Sequence, residues 1–183
     1  MSARETLIEE LRRHALVIGE VTLTSGAVAQ YYVDAKRAIL QPAGFGALSE
    51  LVAAYARQWE ATAVGGLTMG ADAPACAALA GGADVKAFFV RKETKQHGLQ
   101  RRVEGPPLVQ GERCLIVEDV VTTGGSTVQA IEAVRGAGLD VCGVVAILDR
   151  LAGGAKAIAR ASDGAPFEAL ATIDDVYPDR PDR

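Results

Sequence analysis

Residues 114–127 read Cys114-Leu-Ile-Val117-Glu118-Asp119-Val120-Val121-Thr122-Thr123-Gly124-Gly125-Ser126-Thr127, an apolar run that meets two acids and then a turn of glycines and hydroxyls. Cys114 to Val117 is short, partly β-branched and bounded by polar residues, as expected of a buried strand in a parallel sheet. The two acids then fall at a strand's carboxyl end, where open α/β sheets bind their ligands. A helix opening after the turn would offer unpaired N–H groups and a partly positive terminus to an anion. Val120 and Val121 lead into that turn. Gly124 and Gly125 permit close backbone approach, and the hydroxyls of Thr122, Thr123, Ser126 and Thr127 add donors toward phosphate oxygens. Glu118 and Asp119 would repel a phosphate, so they need sugar hydroxyls, a metal ion or a positive reaction centre to face. Ribose hydroxyls meet that need; the alternative is a solvated strand end followed by a helix cap. The order is neither the glycine fingerprint of dinucleotide folds nor a Walker loop, since no Gly-Lys-Thr or Gly-Lys-Ser follows.

A second segment, 85–98, reads Val85-Lys-Ala-Phe-Phe-Val90-Arg91-Lys92-Glu-Thr-Lys95-Gln-His97-Gly98, an apolar strand ending in a cationic loop ahead of the Pro106-Pro107 break. Arg91, Lys92, Lys95 and His97 can converge on one polyanion, and Arg91 can bind its oxygens bidentately. Taken alone, the run reads equally well as a charged surface loop.

Together the two segments resemble the type I phosphoribosyltransferases. Strand, acid pair and Thr/Gly/Ser loop match that family's phosphoribosyl pyrophosphate motif. The Arg-Lys-x-x-Lys-x-His-Gly run resembles the flexible loop of the orotate phosphoribosyltransferases. Residues 21–34 resemble the family's N-terminal segment, in which a strand, the Ser25-Gly26 turn and the aromatic pair Tyr31 and Tyr32 help form the orotate pocket. Many members carry a lysine where this chain has Thr24, and Arg37 is a nearby substitute cation. Tyr31 and Tyr32 read equally as core or interface aromatics. Val64 to Asp72 resembles the second pyrophosphate loop, with Met69 where many relatives have lysine, so backbone contacts remain there. Arg150, after the apolar strand 141–148, becomes by the same resemblance the binder of the orotate carboxylate; without it, Asp149-Arg150 could simply open a helix.

The resemblance implies an α/β fold of that type, a mostly parallel central sheet flanked by helices with a small N-terminal hood over residues 1–40. It implies a pentosyltransferase that joins orotate and phosphoribosyl pyrophosphate into orotidine monophosphate and pyrophosphate, in de novo pyrimidine (UMP) biosynthesis. Lys95, His97 and Asp119 become the catalytic residues. Magnesium would arrive mainly on the substrate, with no dedicated protein site. Gly98 to Gly105 would be a mobile lid reaching a neighbouring subunit's site, which implies a homodimer with shared active sites. The rivals are an enzyme of the same chemistry acting on another base, and a non-catalytic sensor of phosphoribosyl pyrophosphate.

A chain of 183 residues, 49% hydrophobic, fits one α/β domain. A net charge of −4 and a pI near 5.2 argue against nucleic acid as partner. Cys76, Cys114 and Cys142 lack CxxC spacing and sit in apolar or Ala-rich segments, so they read as buried small hydrophobes, with neither zinc nor disulfides indicated. No apolar leader and no window near the roughly 18 apolar residues of a membrane helix is present, so a cytoplasmic setting is expected.

Ser2 with Glu5 predicts a capping box for a first helix that begins the hood, and His14 lies on that helix as a structural residue. Leu48, Leu51, Val52, Tyr55 and Trp59 form one stripe of a helix over 47–60. Strands near 62–66, 85–90, 114–118, 141–148 and 167–172 alternate with helices near 72–81, 126–136 and 153–161, the pattern of right-handed crossovers on a parallel sheet. The polar, proline-containing tail 178–183 is expected to fray.

Overall fold

A computed structural model describes residues 1–22, 28–93 and 102–182. The chain runs α1 (Ala3–His14), β1 (Leu16–Thr22), β2 (Val28–Val33), α2 (Lys36–Ile39), α3 (Pro42–Gln58), β3 (Ala63–Leu67), α4 (Asp72–Ala80), β4 (Lys86–Val90) and β5 (Val103–Glu104). It continues through β6 (Arg113–Val121), α5 (Gly125–Gly136), β7 (Asp140–Asp149), α6 (Gly154–Ala161), β8 (Phe167–Thr172) and α7 (Ile173–Val176). The first helix starts where its sequence says: the Ser2 hydroxyl accepts from the Glu5 N–H and the Glu5 carboxylate accepts from the Ser2 N–H, while Arg12, Arg13 and His14 complement the dipole at its far end.

Six strands form the main sheet in the order β5-β4-β3-β6-β7-β8, parallel throughout except for β5, which pairs antiparallel with β4. Alternation along β6 explains the two helical layers. Leu115 and Val117 point into a core shared with Leu7, Leu48, Val52 and Ala75 of α1, α3 and α4. Cys114 and Ile116 point the other way, against Ile131, Val134 and Ile158 of α5 and α6. Apolar residues on both faces are what a central parallel strand requires. The chain leaves β3 toward β4 on one side and leaves β6 toward β7 on the other, so the order reverses between β3 and β6, where such sheets open a crevice.

All five expected strands and the three expected crossover helices are present. Three differences bear on the site. The strand expected at 114–118 extends to Val121, which puts Glu118 and Asp119 inside it, because Val120 and Val121 keep pairing with Leu148 and Asp149 of β7. The helix expected from 47 starts at Pro42, whose fixed φ suits the first helical position. Residues 103–104 form the edge strand β5 beside β4, so part of the expected lid is paired backbone.

The first helix buries Leu7 and Leu11 in the main core. The antiparallel β1–β2 pair and α2 bring Tyr32, Val33 and Lys36 to the crevice. The segment expected to fray is docked through 182: Arg180 pairs with Asp174 and Asp182, and Asp182 accepts from the Tyr31 hydroxyl. Cys114 is buried and Cys142 half-buried, but Cys76 is exposed, because it lies on the outward side of α4. Among the described residues no helix is long and apolar enough to cross a membrane.

Candidate active site

A cavity of about 350 Å³ opens at the reversal point, lined by Leu67, Thr68, Met69 and Gly70 after β3, by Glu118, Asp119 and Val120 of β6, by Thr122 and Ser126, and by Tyr32, Val33, Lys36, Lys92 and Arg150. A second cavity of about 310 Å³ adjoins it through Glu118, Val120, Thr122 and Ser126, and is lined by the whole turn Val121 to Thr127 with Gln129. Gly124 supports this turn in the left-handed region at φ +84°, and any Cβ there would crowd the Gly154 carbonyl oxygen. Gly124 is also the residue before α5, so the helix's free N–H groups open directly onto the second cavity. The turn expected to cradle a phosphate therefore has both the backbone and the space to do so.

The two acids stand in different electrostatic settings. Glu118 is 4% exposed. Burial, and next the charge of Asp119, pushes its carboxyl up to about 8. The Thr127 hydroxyl donates to one Glu118 oxygen at 3.2 Å, and the Asp119 N–H donates to the other at 3.3 Å. Asp119 is instead paired with a cation: the Lys36 ammonium lies 3.0 Å from its Oδ2 and 3.0 Å from Asp34 Oδ1. Burial acts to lower the Lys36 pKa, but its hydrogen bonds to Asp119 and Asp34 and the charges of both outweigh that and raise it. Gly70 presses its backbone against this pair; a Cβ on it would collide with Asp119 Oδ1 and reach 3.0 Å from Glu118 Oε1.

The aromatic pair divides by alternation along β2. Tyr31 is 3% exposed, whereas Tyr32 is 40% exposed on the cavity wall. Arg150 follows β7, several residues ahead of α6, so it does not open a helix. Its backbone N–H bonds the Val121 carbonyl at 2.8 Å. Its guanidinium donates to the Tyr31 hydroxyl at 3.0 Å and lies 5.0 Å from that ring's centroid. Met69 lines the cavity and is 74% exposed.

Of the residues singled out from sequence, Glu118, Asp119, Val120, Val121, Thr122, Thr123, Gly124, Gly125, Ser126, Thr127, Tyr32, Lys92 and Arg150 line these two cavities. Tyr31 stands behind Arg150. Arg91 does not line either cavity; its guanidinium is 3.7 Å from Glu104, across the β4–β5 pairing. Thr24, Lys95 and His97 lie outside the described residues. His14 faces Glu10 at 3.7 Å on α1, away from the crevice. Lys36 lies on the cavity wall, whereas Arg37, the substitute cation expected from sequence, is exposed and absent from that wall. One residue of a short helix separates the two, and the acidic neighbour Asp34, 3.0 Å from the Lys36 ammonium, is the local signal that could distinguish them.

The chain matches the phosphoribosyl transferase domain over residues 37–168. It is 44% identical over 177 residues to an orotate phosphoribosyltransferase of Corynebacterium glutamicum strain R, covering 96% of this chain and 95% of that protein. The crystal structure of Mycobacterium tuberculosis H37Rv orotate phosphoribosyltransferase in complex with Fe(III) dicitrate superposes with a TM-score of 0.85 at 40% identity, covering 96% of this chain and 99% of the other. The same enzyme in complex with 5-phospho-alpha-D-ribosyl 1-diphosphate (PRPP) gives a TM-score of 0.80 at 36% identity, over 95% and 98% of the two chains.

Proposed function

This chain belongs to the orotate phosphoribosyltransferases of the phosphoribosyl transferase family, and from that premise we propose how its residues divide the reaction of orotate with PRPP to orotidine monophosphate and pyrophosphate. The observation that carries the reading is the convergence of an acid pair, a helix-opening Thr/Gly/Ser turn and three separate cations on one crevice. The turn Thr122 to Thr127 holds the 5-phosphate through backbone N–H groups and hydroxyls. Glu118 and Asp119 accept hydrogen bonds from the ribose hydroxyls. Breaking the anomeric bond to pyrophosphate builds positive charge on the ribose and negative charge on the leaving group. The Asp119 carboxylate then favours the cationic sugar, while Lys92, with Lys95 and His97 from the loop that follows, neutralises the departing pyrophosphate. Lys36 supplies a cation that neither Thr24 nor Met69 can. Arg150 takes the orotate carboxylate, with Tyr31 and Tyr32 framing the base.

Orotate is itself acidic and a competent nucleophile, so no Ser-His or Cys-His system is required. Among the described residues no cluster of three or more His, Cys, Asp or Glu side chains could cage a metal, and the acid pair offers oxygens sparsely, the donor set suited to a magnesium ion that keeps mostly water and substrate oxygens. Magnesium held on the substrate phosphates would supply charge neutralisation of the pyrophosphate. A homodimer with shared sites, a single domain and a cytoplasmic setting complete the proposal. The test is loss of orotate absorbance with PRPP and magnesium, against uracil, adenine and xanthine as controls. Turnover of a control base in place of orotate would overturn it. Lys95→Ala should lower kcat more than it raises the orotate KM, since its partner is the leaving group.

A further inference from the structure

Tyr31 is tied to more than Arg150. Both oxygens of Asp182 lie 3.0 and 3.1 Å from its hydroxyl. A carboxylate only accepts, so the single phenolic proton goes to Asp182 and the phenol oxygen is left to accept from the Arg150 Nη2 at 3.0 Å. Asp182 is itself held: the Arg180 Nε stands 3.3 Å from its Oδ1. Arg180, whose side chain is only 10% exposed, bonds Asp174 of α7 with its other end. The Tyr177 ring meets Tyr31 edge-on at 5.3 Å and 88°. A stretch expected to be loose is thus fastened at two points, and its Asp182 reaches the same Tyr31 hydroxyl that meets Arg150.

We propose that residues 177–182 form part of the base-binding apparatus, with Asp182 a positioning residue that orients Arg150 through Tyr31. The inference rests on the proposed role of Arg150 toward the orotate carboxylate and extends it to a segment outside the matched family region 37–168. With Asp182 in place, Tyr31 presents a fixed lone pair and a ring face to the guanidinium, and the remaining N–H groups of Arg150 are left for the cavity it lines. Without Asp182, the hydroxyl rotates and donates elsewhere, and the guanidinium loses its fixed acceptor. The hydrogen bonds and ion pairs of Asp182 and Arg180 run to Tyr31 and Asp174, on the Arg150 side of the crevice, so the element acts on base binding and not on the sugar phosphate.

Steady-state kinetics of Asp182→Ala, Asp182→Glu, Tyr31→Phe and the Asp182→Ala/Tyr31→Phe double variant test this. The expected result is a rise of about three- to tenfold in the orotate KM for Asp182→Ala, scaled to one partly exposed charged hydrogen bond. The PRPP KM should be unchanged, and Asp182→Glu should restore most of the loss. Tyr31→Phe should raise the orotate KM similarly, and the double variant should add nothing, since both act through one contact. An orotate KM that stays level or falls in Asp182→Ala, as a tail competing with substrate would give, overturns the inference. So do additive effects, or both KM values rising together with a lower melting temperature. If the unaltered chain turns over no orotate at all, the functional reading itself has failed, an outcome separable from all of these.

Discussion

Replacing Glu118 by glutamine should change how the protein's stability depends on pH, in a direction that burial dictates. The folded state holds the Glu118 carboxyl up to about 8 against an ordinary 4.5, chiefly by burial and then by the Asp119 charge. Between those two values the unfolded chain has lost the proton and the folded chain keeps it. Stability therefore falls as pH rises, by about 1.4 kcal/mol per unit from this group. It is fully present below 4.5 and lost as pH climbs through about 8. From pH 5.5 to 7.5 the loss is about 3 kcal/mol, which for a chain of this size lowers the melting temperature by roughly 6–12 °C. Glutamine keeps an oxygen for the Thr127 hydroxyl but cannot titrate. The difference in melting temperature, Glu118→Gln minus unaltered protein, should consequently grow by that amount across the same interval, with every group the two share cancelling. Melting curves by calorimetry at half-unit steps would show it. A difference that stays flat with pH would refute the claim that this carboxyl is held neutral.

Three further substitutions probe the same crevice. Lys36→Met should leave the melting temperature within a few degrees, because a 38% exposed ammonium contributes under about 1 kcal/mol. It should weaken PRPP binding about tenfold by leaving the Asp119 charge bare toward a polyanion, which isothermal titration would measure. Gly70→Ala puts a methyl into the acid pair, so kcat/KM should fall by more than about tenfold with little change in unfolding midpoint, read by kinetics and urea titration side by side. Thr127→Val removes the hydroxyl that donates to Glu118. It should destabilise by about 1–2 kcal/mol and move the pH effect described above further upward, since that bond favours the charged carboxyl.

What the sequence disclosed and what it hid follow from the range of the interactions involved. The β6-to-α5 motif is legible because its parts are contiguous: strand, acids, turn and helix start are one stretch of chain, and each carries its own local signature. The same holds for the capping box at Ser2 and for the apolar stripe of α3. The extent of β6 was not legible, because Val120 and Val121 remain in the strand by pairing with β7, a partner some 28 residues away. Lys36 was missed for the neighbouring Arg37 because a four-residue helix has no periodicity to say which side chain faces inward. The docking of 178–182 lay beyond reach for a stronger reason. Prolines and charges there read as solvated chain, and their partners, Asp174 and Tyr31, are fixed by packing at opposite ends of the sequence. Cys76 inverts the case: an Ala-rich helix looks wholly buried when only composition is read, yet one side of α4 faces solvent.

The crevice also explains how two adjacent acids are accommodated at a sheet's reversal point. Two ionised acids held together in a low-dielectric site repel strongly. Here the repulsion is relieved twice, by a proton retained on Glu118 and by the Lys36 ammonium on Asp119. The cation on Asp119 comes from outside the acid motif. Lys36 comes from α2, and the hydroxyl that donates to Glu118 comes from Thr127, in the first turn of α5. A ribose that brings hydroxyl donors to these oxygens would take over part of both tasks, so the acids are poised to exchange internal partners for substrate. Rigid elements on three sides hold them for that exchange: β6 beneath, the Gly70 backbone against their oxygens, and the helix-opening turn beyond. Enlarging Gly70 should therefore damage catalysis far more than folding, because the space it guards is needed by the carboxylates and not by the core.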